Sequence, residues 1–283
     1  MNKLAIFTDT ASDLTYELAD QYDIALVSYQ LQMGDSHLID QVDITSREFY
    51  ETMSHYDVLS TGIPTVQTVI DKFEELKEQG YTQVLAICSS DKITGMQGLL
   101  EVVKSEHSDL DITIFNTNQI ASSSGVFAIY ASQLRQSGHG LQEIVAELER
   151  VKPKAEILAL FRTLTYLVKG GRFNKYKGAF GNLLNINPML SAVNGEVAAI
   201  DKIRGTKKSL QALIKLVKER LADSDKYILS FFAGNNEQEV EELKRELSEE
   251  IANASLFYET ELTPVLGCHA GPKSIGVSIL RLD

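Results

Sequence analysis

The sequence has 283 residues, 44% of them hydrophobic and 23% charged, with only five prolines, a composition that can bury enough apolar surface to offset chain entropy and excludes global disorder. A formal net charge of −12 excludes general nucleic-acid binding, which needs a basic surface to neutralise phosphates. No apolar run reaches the roughly 20 residues of a membrane-spanning helix, and Arg162 interrupts the nearest approach to one, so no transmembrane segment is expected.

The opening MNKLAIFTDT reaches Asp9 after a short apolar run and shows no small-residue cleavage pattern, so a secretory signal is not expected. Cys88 and Cys268 lie in or beside strand-like runs and read as reduced core thiols, which with the missing signal points to the cytoplasm. In chain order, KLAIFT (3–8), IALVSY (24–29), QVLAICS (83–89) and DITIFN (111–116) are short β-branched and aliphatic runs alternating with helical patterns, the mark of a parallel sheet covered by helices. Thr45 and Glu48 form a capping box ahead of a short helix. Pro64 leads into a helix on which Val66, Val69, Ile70, Phe73 and Leu76 recur at helical spacing before Gly80 closes it.

After the helical stretch LQEIVAELERVK, Pro153 marks a boundary, giving two α/β domains over residues 1–154 and 155–283, the first with a mainly parallel sheet and the second with a mixed one. Strand candidates in the second are EILALF (156–161), a hairpin about Asn194-Gly195, YILSFFA (227–233) and the C-terminal IGVSILRL, with helices near 207–222 and 236–252 packing on one side of the sheet. Charge divides unevenly: residues 1–150 hold 8 Lys/Arg against 23 Asp/Glu, whereas residues 152–208 hold 11 against 3. That basic segment is either a solvated face or a docking surface for an acidic partner or a phosphate.

Three loops, TDTASDL (8–14), STGIPT (60–65) and SSDKITGMQG (89–98), are rich in hydroxyls that together with helix N-terminal amides can cradle an oxyanion, although in isolation such residues serve as helix caps more often. No loop carries a nucleotide-binding fingerprint, so no ATP site is expected in this chain. His269 reads as part of a glycine-bearing turn between two strand-like runs. The five histidines show no metal-ligand spacing. Gly170 and Gly171 permit a tight turn that can hold Arg172 at an anion.

These separated motifs, taken in order, resemble the DegV family over essentially the whole chain. TDTASDL is similar to its T-D-S-x-x-D-L, Thr61, Pro64 and Thr65 fall on its T-S-x-P-S, and Ile93-Thr94-Gly95 resembles its L-S-G. Leu164 to Arg172 matches L-x-Y-L-x-K-G-G-R, LLNINPML resembles L-L-x-I-K-P-I-L, and residues 269–272 resemble H-x-G-P. Gly62, Asp91 and Lys273 depart from that pattern.

The resemblance implies two α/β domains enclosing a long-chain fatty acid whose carboxylate meets Thr61, Thr94 and His269. It implies a lipid-binding subunit with no cofactor of its own, presenting the acid to a separate ATP-dependent fatty acid kinase that makes acyl phosphate for phospholipid synthesis, with Arg172 and Arg204 on the surface that serves the kinase. Two other readings remain: a stand-alone hydrolase or phosphotransferase acting on a small anion, for which Ser90, His269 and Asp9 supply the residue types, and a pure interaction protein using the basic segment.

Overall fold

A computed structural model, which describes residues 3–106, 109–172 and 186–283, builds the chain on three sheets. The first stretch runs β1 (Leu4–Asp9), α1 (Tyr16–Gln21), β2 (Ile24–Val27), β3 (Gln30–Met33), β4 (Ser36–Ile39), α2 (Ser46–Thr52), β5 (Leu59–Gly62), α3 (Val66–Glu78), β6 (Gln83–Cys88), α4 (Met96–Glu106), β7 (Asp111–Asn116), α5 (Ser122–Gln136) and α6 (Leu141–Val151). Strands β2-β1-β6-β7 pair in parallel, with Ile6 opposite both Ile24 and Leu85. Helices cover both faces of this sheet, which is why β1 and β6 read as nearly continuous apolar runs. Val69, Phe73 and Leu76 of α3 and Leu100 of α4 pack with Phe7 and Ala86 on one face, and Phe127, Ile144 and Leu148 pack with Ile6 and Leu85 on the other.

The capping box forms as the sequence indicates: Thr45 Oγ1 accepts the Glu48 N–H at 3.2 Å, and the Glu48 carboxylate accepts the Thr45 N–H at 2.9 Å.

The second stretch runs β8 (Ala155–Leu160), α7 (Thr165–Lys169), β9 (Ile186–Val193), β10 (Glu196–Arg204), α8 (Thr206–Leu221), β11 (Tyr227–Ala233), α9 (Glu237–Glu246), α10 (Ser248–Asn253), β12 (Leu256–Glu261), α11 (Pro264–Ala270) and β13 (Ile275–Arg281). Its sheet has the order β10-β9-β8-β13-β11-β12 and is antiparallel except for the β11–β12 pair. Asn194 (φ 52°) and Gly195 (φ 79°) make the β9–β10 turn, both in the left-handed region that an Asn-Gly hairpin demands. Leu210, Leu213, Ile214 and Val217 of α8 pack on Leu158, Phe231 and Val277 of the outer face. Burial of such side chains stabilises the fold by about 1.5–3 kcal/mol each. The opposite face, with Ile157, Ala159, Leu190 and Phe232, turns inward toward α2, α11 and the third sheet.

Several elements differ from the sequence reading. The segment around Thr61 is not a loop but strand β5, paired antiparallel with β3 in a small sheet of order β4-β3-β5. His269 is not in a turn between strands: it lies in α11, which starts with Pro264 at its first helical position and ends at Gly271 (φ 75°), a start and stop that override the apolar, strand-like look of PVLGC. Helix α5 and strand β12 were not legible. The residues of α5 from Ser122 to Ile129 are all buried, because the helix packs on β1 and β6 on one side and on β11 and β13 on the other, so no apolar stripe marks it.

Candidate functional site

Between the inward face of the second sheet and the ends of the parallel strands lies a cavity. Its walls are mostly aliphatic and aromatic, among them Ile157, Ala159, Phe161, Leu190, Val197 and Phe232, and its polar lining consists of Tyr29, Thr61, Thr94, Arg172, Ser191 and His269. Thr61 projects from β5, and its hydroxyl is 2.9 Å from His269 Nε2 on α11. Thr94 sits two residues before α4, its N–H donating to the Ser90 carbonyl at 2.9 Å. The two loops meet, since a Cβ on Gly95 would touch Ile63 at 3.5 Å.

His269 is placed from below by backbone. Gly170 packs so closely that a Cβ there would come within 2.2 Å of His269 Nδ1, and reciprocally a Cβ on Gly271 would come within 2.4 Å of the Tyr166 ring. The Gly-Gly turn after α7 and the His-Ala-Gly end of α11 therefore interlock, each glycine seating the other segment's ring. Burial, aided by the positive charge of Arg172, pushes the His269 imidazole down to about 4, so it is neutral at physiological pH. Its Nδ1 is buried with no partner. The tautomer protonated at Nε2 leaves a lone pair rather than an N–H unmet there, donates to Thr61 Oγ1, and frees the threonine hydrogen for an anion in the cavity.

Buried acids hold α11 in position. Asp13 accepts the N–H groups of Ser122 and Thr263 at 3.2 and 3.1 Å, and Asp40 accepts that of Val265 at 3.2 Å. Asp9 accepts the Ala11 N–H at 2.9 Å. Burial pushes Asp9 and Asp40 up to about 7, the neighbouring Asp40 carboxyl adding to the rise at Asp9.

Arg172 lines the cavity while its Nη1 donates to the Gly170 carbonyl at 2.7 Å. Arg204 is exposed at the end of β10 and does not line the cavity. The structure thus brings Thr61, Thr94, His269 and Arg172 to one cavity and leaves Arg204 outside it; residues 173–185 of the basic segment lie outside the described residues. Of the departures noted in the sequence, Gly62 lines the cavity. Asp91 bonds Asn116 at 2.8 Å on the surface, and Lys273 lines a separate polar cleft with Arg162 and Glu239.

Ser90, His269 and Asp9 do not assemble as a triad. Ser90 Oγ donates to the Gly195 carbonyl at 2.7 Å, and Lys92 Nζ donates to the Asn194 carbonyl at 2.8 Å, so this loop clasps the β9–β10 hairpin instead. Among the described residues no group of His, Cys, Asp and Glu is arranged to hold a metal ion, and no helix is long and apolar enough to cross a membrane. Cys88 and Cys268 are free and buried, and burial pushes the Cys268 thiol up to about 12. Tyr29 was missed in the sequence, though it stands just past β2 at the carboxyl end of the parallel sheet, where such sheets gather ligands.

A family model described as "Uncharacterised protein, DegV family" matches residues 3–282. A DegV domain-containing protein of Clostridium acetobutylicum is 32% identical over 282 residues, covering 99% of this chain and 100% of its own. Among solved structures, a fatty-acid-binding DegV family protein of Thermus thermophilus superposes with a TM-score of 0.90 at 24% identity, over 99% of this chain and 100% of that one. A DegV lipid-binding protein of Thermotoga maritima does so with a TM-score of 0.88 at 25% identity, over 99% of each chain.

Proposed function

The chain belongs to the DegV family, and on that premise and the chemistry of its cavity we propose that it binds a long-chain fatty acid, tail buried and carboxylate held by Thr61, Thr94 and His269. The observation that carries this reading is the pairing of a bonded hydroxyl–imidazole couple with walls that are otherwise mostly hydrocarbon. A carboxylate cannot stay buried unpaired, and two hydroxyls with a neutral imidazole behind one of them supply donors without a buried counter-charge. Burying a sixteen-carbon tail at about 0.8 kcal/mol per methylene gives a gross gain on the order of 12 kcal/mol, so the tail dominates affinity and the contacts that hold the carboxylate chiefly orient it. The relatives from Thermus thermophilus and Thermotoga maritima, described as binding fatty acid and lipid, support the same ligand class.

The finer reading is that a separate ATP-dependent kinase phosphorylates the bound carboxylate to acyl phosphate for phospholipid synthesis. The absence of a nucleotide fingerprint in the sequence favours an ATP site on a partner. Arg172 at the cavity and Arg204 on the surface are the residues that would meet the partner and the phosphoryl group. Lipid extraction and mass spectrometry of the purified protein test the first part: about one fatty acid per chain is expected, and a protein that is empty and takes up none would reject it. Acyl-phosphate formation that needs both the kinase and this chain tests the second.

A further inference from the structure

Tyr29 enters the cavity between β2 and β3, where its N–H donates to Thr10 Oγ1 at 3.1 Å and fixes the point at which the ring leaves the sheet. The side chain is 4% exposed and packs with Phe7, Val27 and Val265. Its hydroxyl oxygen is sealed from solvent and has no hydrogen-bond partner, although the ring lines the same cavity as Thr61 and His269. That oxygen lies beside the Thr94 hydroxyl and within electrostatic reach of Arg172. Buried hydroxyls are almost always satisfied, so an unmet one on a cavity-lining residue marks a place for a ligand atom. Burial, with the Asp9 carboxyl nearby, pushes the phenol well above its ordinary pKa; it therefore keeps its proton and acts as a donor. Asp9 Oδ2 also lacks a partner, yet the two groups do not bond each other.

We propose that Tyr29 is a fourth head-group residue, donating its hydroxyl hydrogen to the carboxylate oxygen that also meets Thr94. The proposal rests on the fatty-acid reading above and adds to it a donor from the parallel sheet, so that both carboxylate oxygens are met from separate elements. Tyr29 selects for an ionised acid over a neutral lipid of equal length, because the hydroxyl donates more strongly to a carboxylate than to an ester carbonyl.

The test is a titration of lipid-stripped wild type and Tyr29→Phe with palmitate and with methyl palmitate, read by calorimetry. Phenylalanine keeps the ring and removes only the hydroxyl. Palmitate affinity is expected to fall roughly tenfold while methyl palmitate stays within about twofold, the ester serving as the check that the cavity is intact. A palmitate change below about twofold overturns the proposal and leaves the fatty-acid reading standing. An equal loss for both ligands also overturns it, since the hydroxyl would then support the fold, for instance through Asp9. Wild type that binds neither ligand removes the fatty-acid reading itself, and this proposal with it.

Discussion

Thr61 and His269 stand 208 positions apart in the chain and share a 2.9 Å contact that joins the small antiparallel sheet to the last helix. If this couple orients the carboxylate while the tail supplies most of the affinity, His269→Ala should retain its lipid yet lose at least about tenfold in acyl-phosphate formation with the partner kinase. Lipid content by mass spectrometry and acyl phosphate by a coupled assay separate the two. A variant that purifies empty but turns over normally once lipid is supplied would reverse the roles of head and tail.

Gly170→Ala places a methyl where only 2.2 Å separates it from His269 Nδ1. The imidazole must move, so we expect a loss of about 1–3 kcal/mol in stability and a break in the Thr61 contact. The His269 imidazole resonance, followed by NMR, should shift its titration from about 4 toward the ordinary histidine range as the ring meets solvent. An unmoved titration would show that the glycine does not seat the ring.

Ala159 contributes one of the smallest side chains of the cavity wall, on a strand whose inward face is otherwise bulky. Ala159→Ile adds three carbons at a β-compatible position, which should shorten the mean length of the co-purifying fatty acid by about two to three methylenes if the tail lies there. An unchanged chain-length distribution with a normal melting temperature would place the tail elsewhere.

The buried carboxyls give a pH signature. Asp40 is raised from the usual 3.8 to about 7, so between those values the folded chain binds more protons than the unfolded one. The stabilisation is complete below about pH 4 and is lost as pH climbs toward about 7, with Asp9 following the same sign. Asp40→Asn keeps an oxygen for the Val265 N–H and cannot ionise; its melting temperature should fall less than that of wild type between about pH 4 and about pH 7. His269 works in the opposite direction but is common to both proteins, and parallel melting curves would remove the assignment.

Arg172→Ala and Arg204→Ala are exposed changes that should alter stability by less than about 0.5 kcal/mol and leave lipid content intact, while weakening kinase coupling in a salt-dependent way. Acyl-phosphate formation equal to wild type in both would remove the docking role. A large melting shift in Arg172→Ala alone would reduce that residue to its bond with the Gly170 carbonyl.

What the sequence disclosed follows from how each element is exposed. The parallel strands show as short unbroken apolar runs and α3 by a single helical periodicity, and Asn194-Gly195 shows because few turns accept two left-handed residues in a row. Helix α5 is hidden since its first eight residues are buried on every side, and the strand character of Thr61 is hidden because β5 is a four-residue element that only pairing with β3 reveals. His269 was singled out for its setting among glycines, and the glycines do matter, but in a helix rather than a turn. Tyr29 offered only its position at the carboxyl end of β2: what sets it apart is an oxygen left without a partner, which is a property of packing.

The position of β13 has a bearing on biosynthesis. Strand β13 lies in the middle of its sheet, between β8 and β11, although both neighbours precede it in the chain, so during translation the sheet remains split until β13 has left the ribosome. Ile157 and Ala159 on one side of the gap and Phe232 on the other are cavity walls, and they are brought together only by that late insertion. The cavity therefore cannot close before β13 is in place, and copies that stall before it or lose it would expose an open apolar face to quality control.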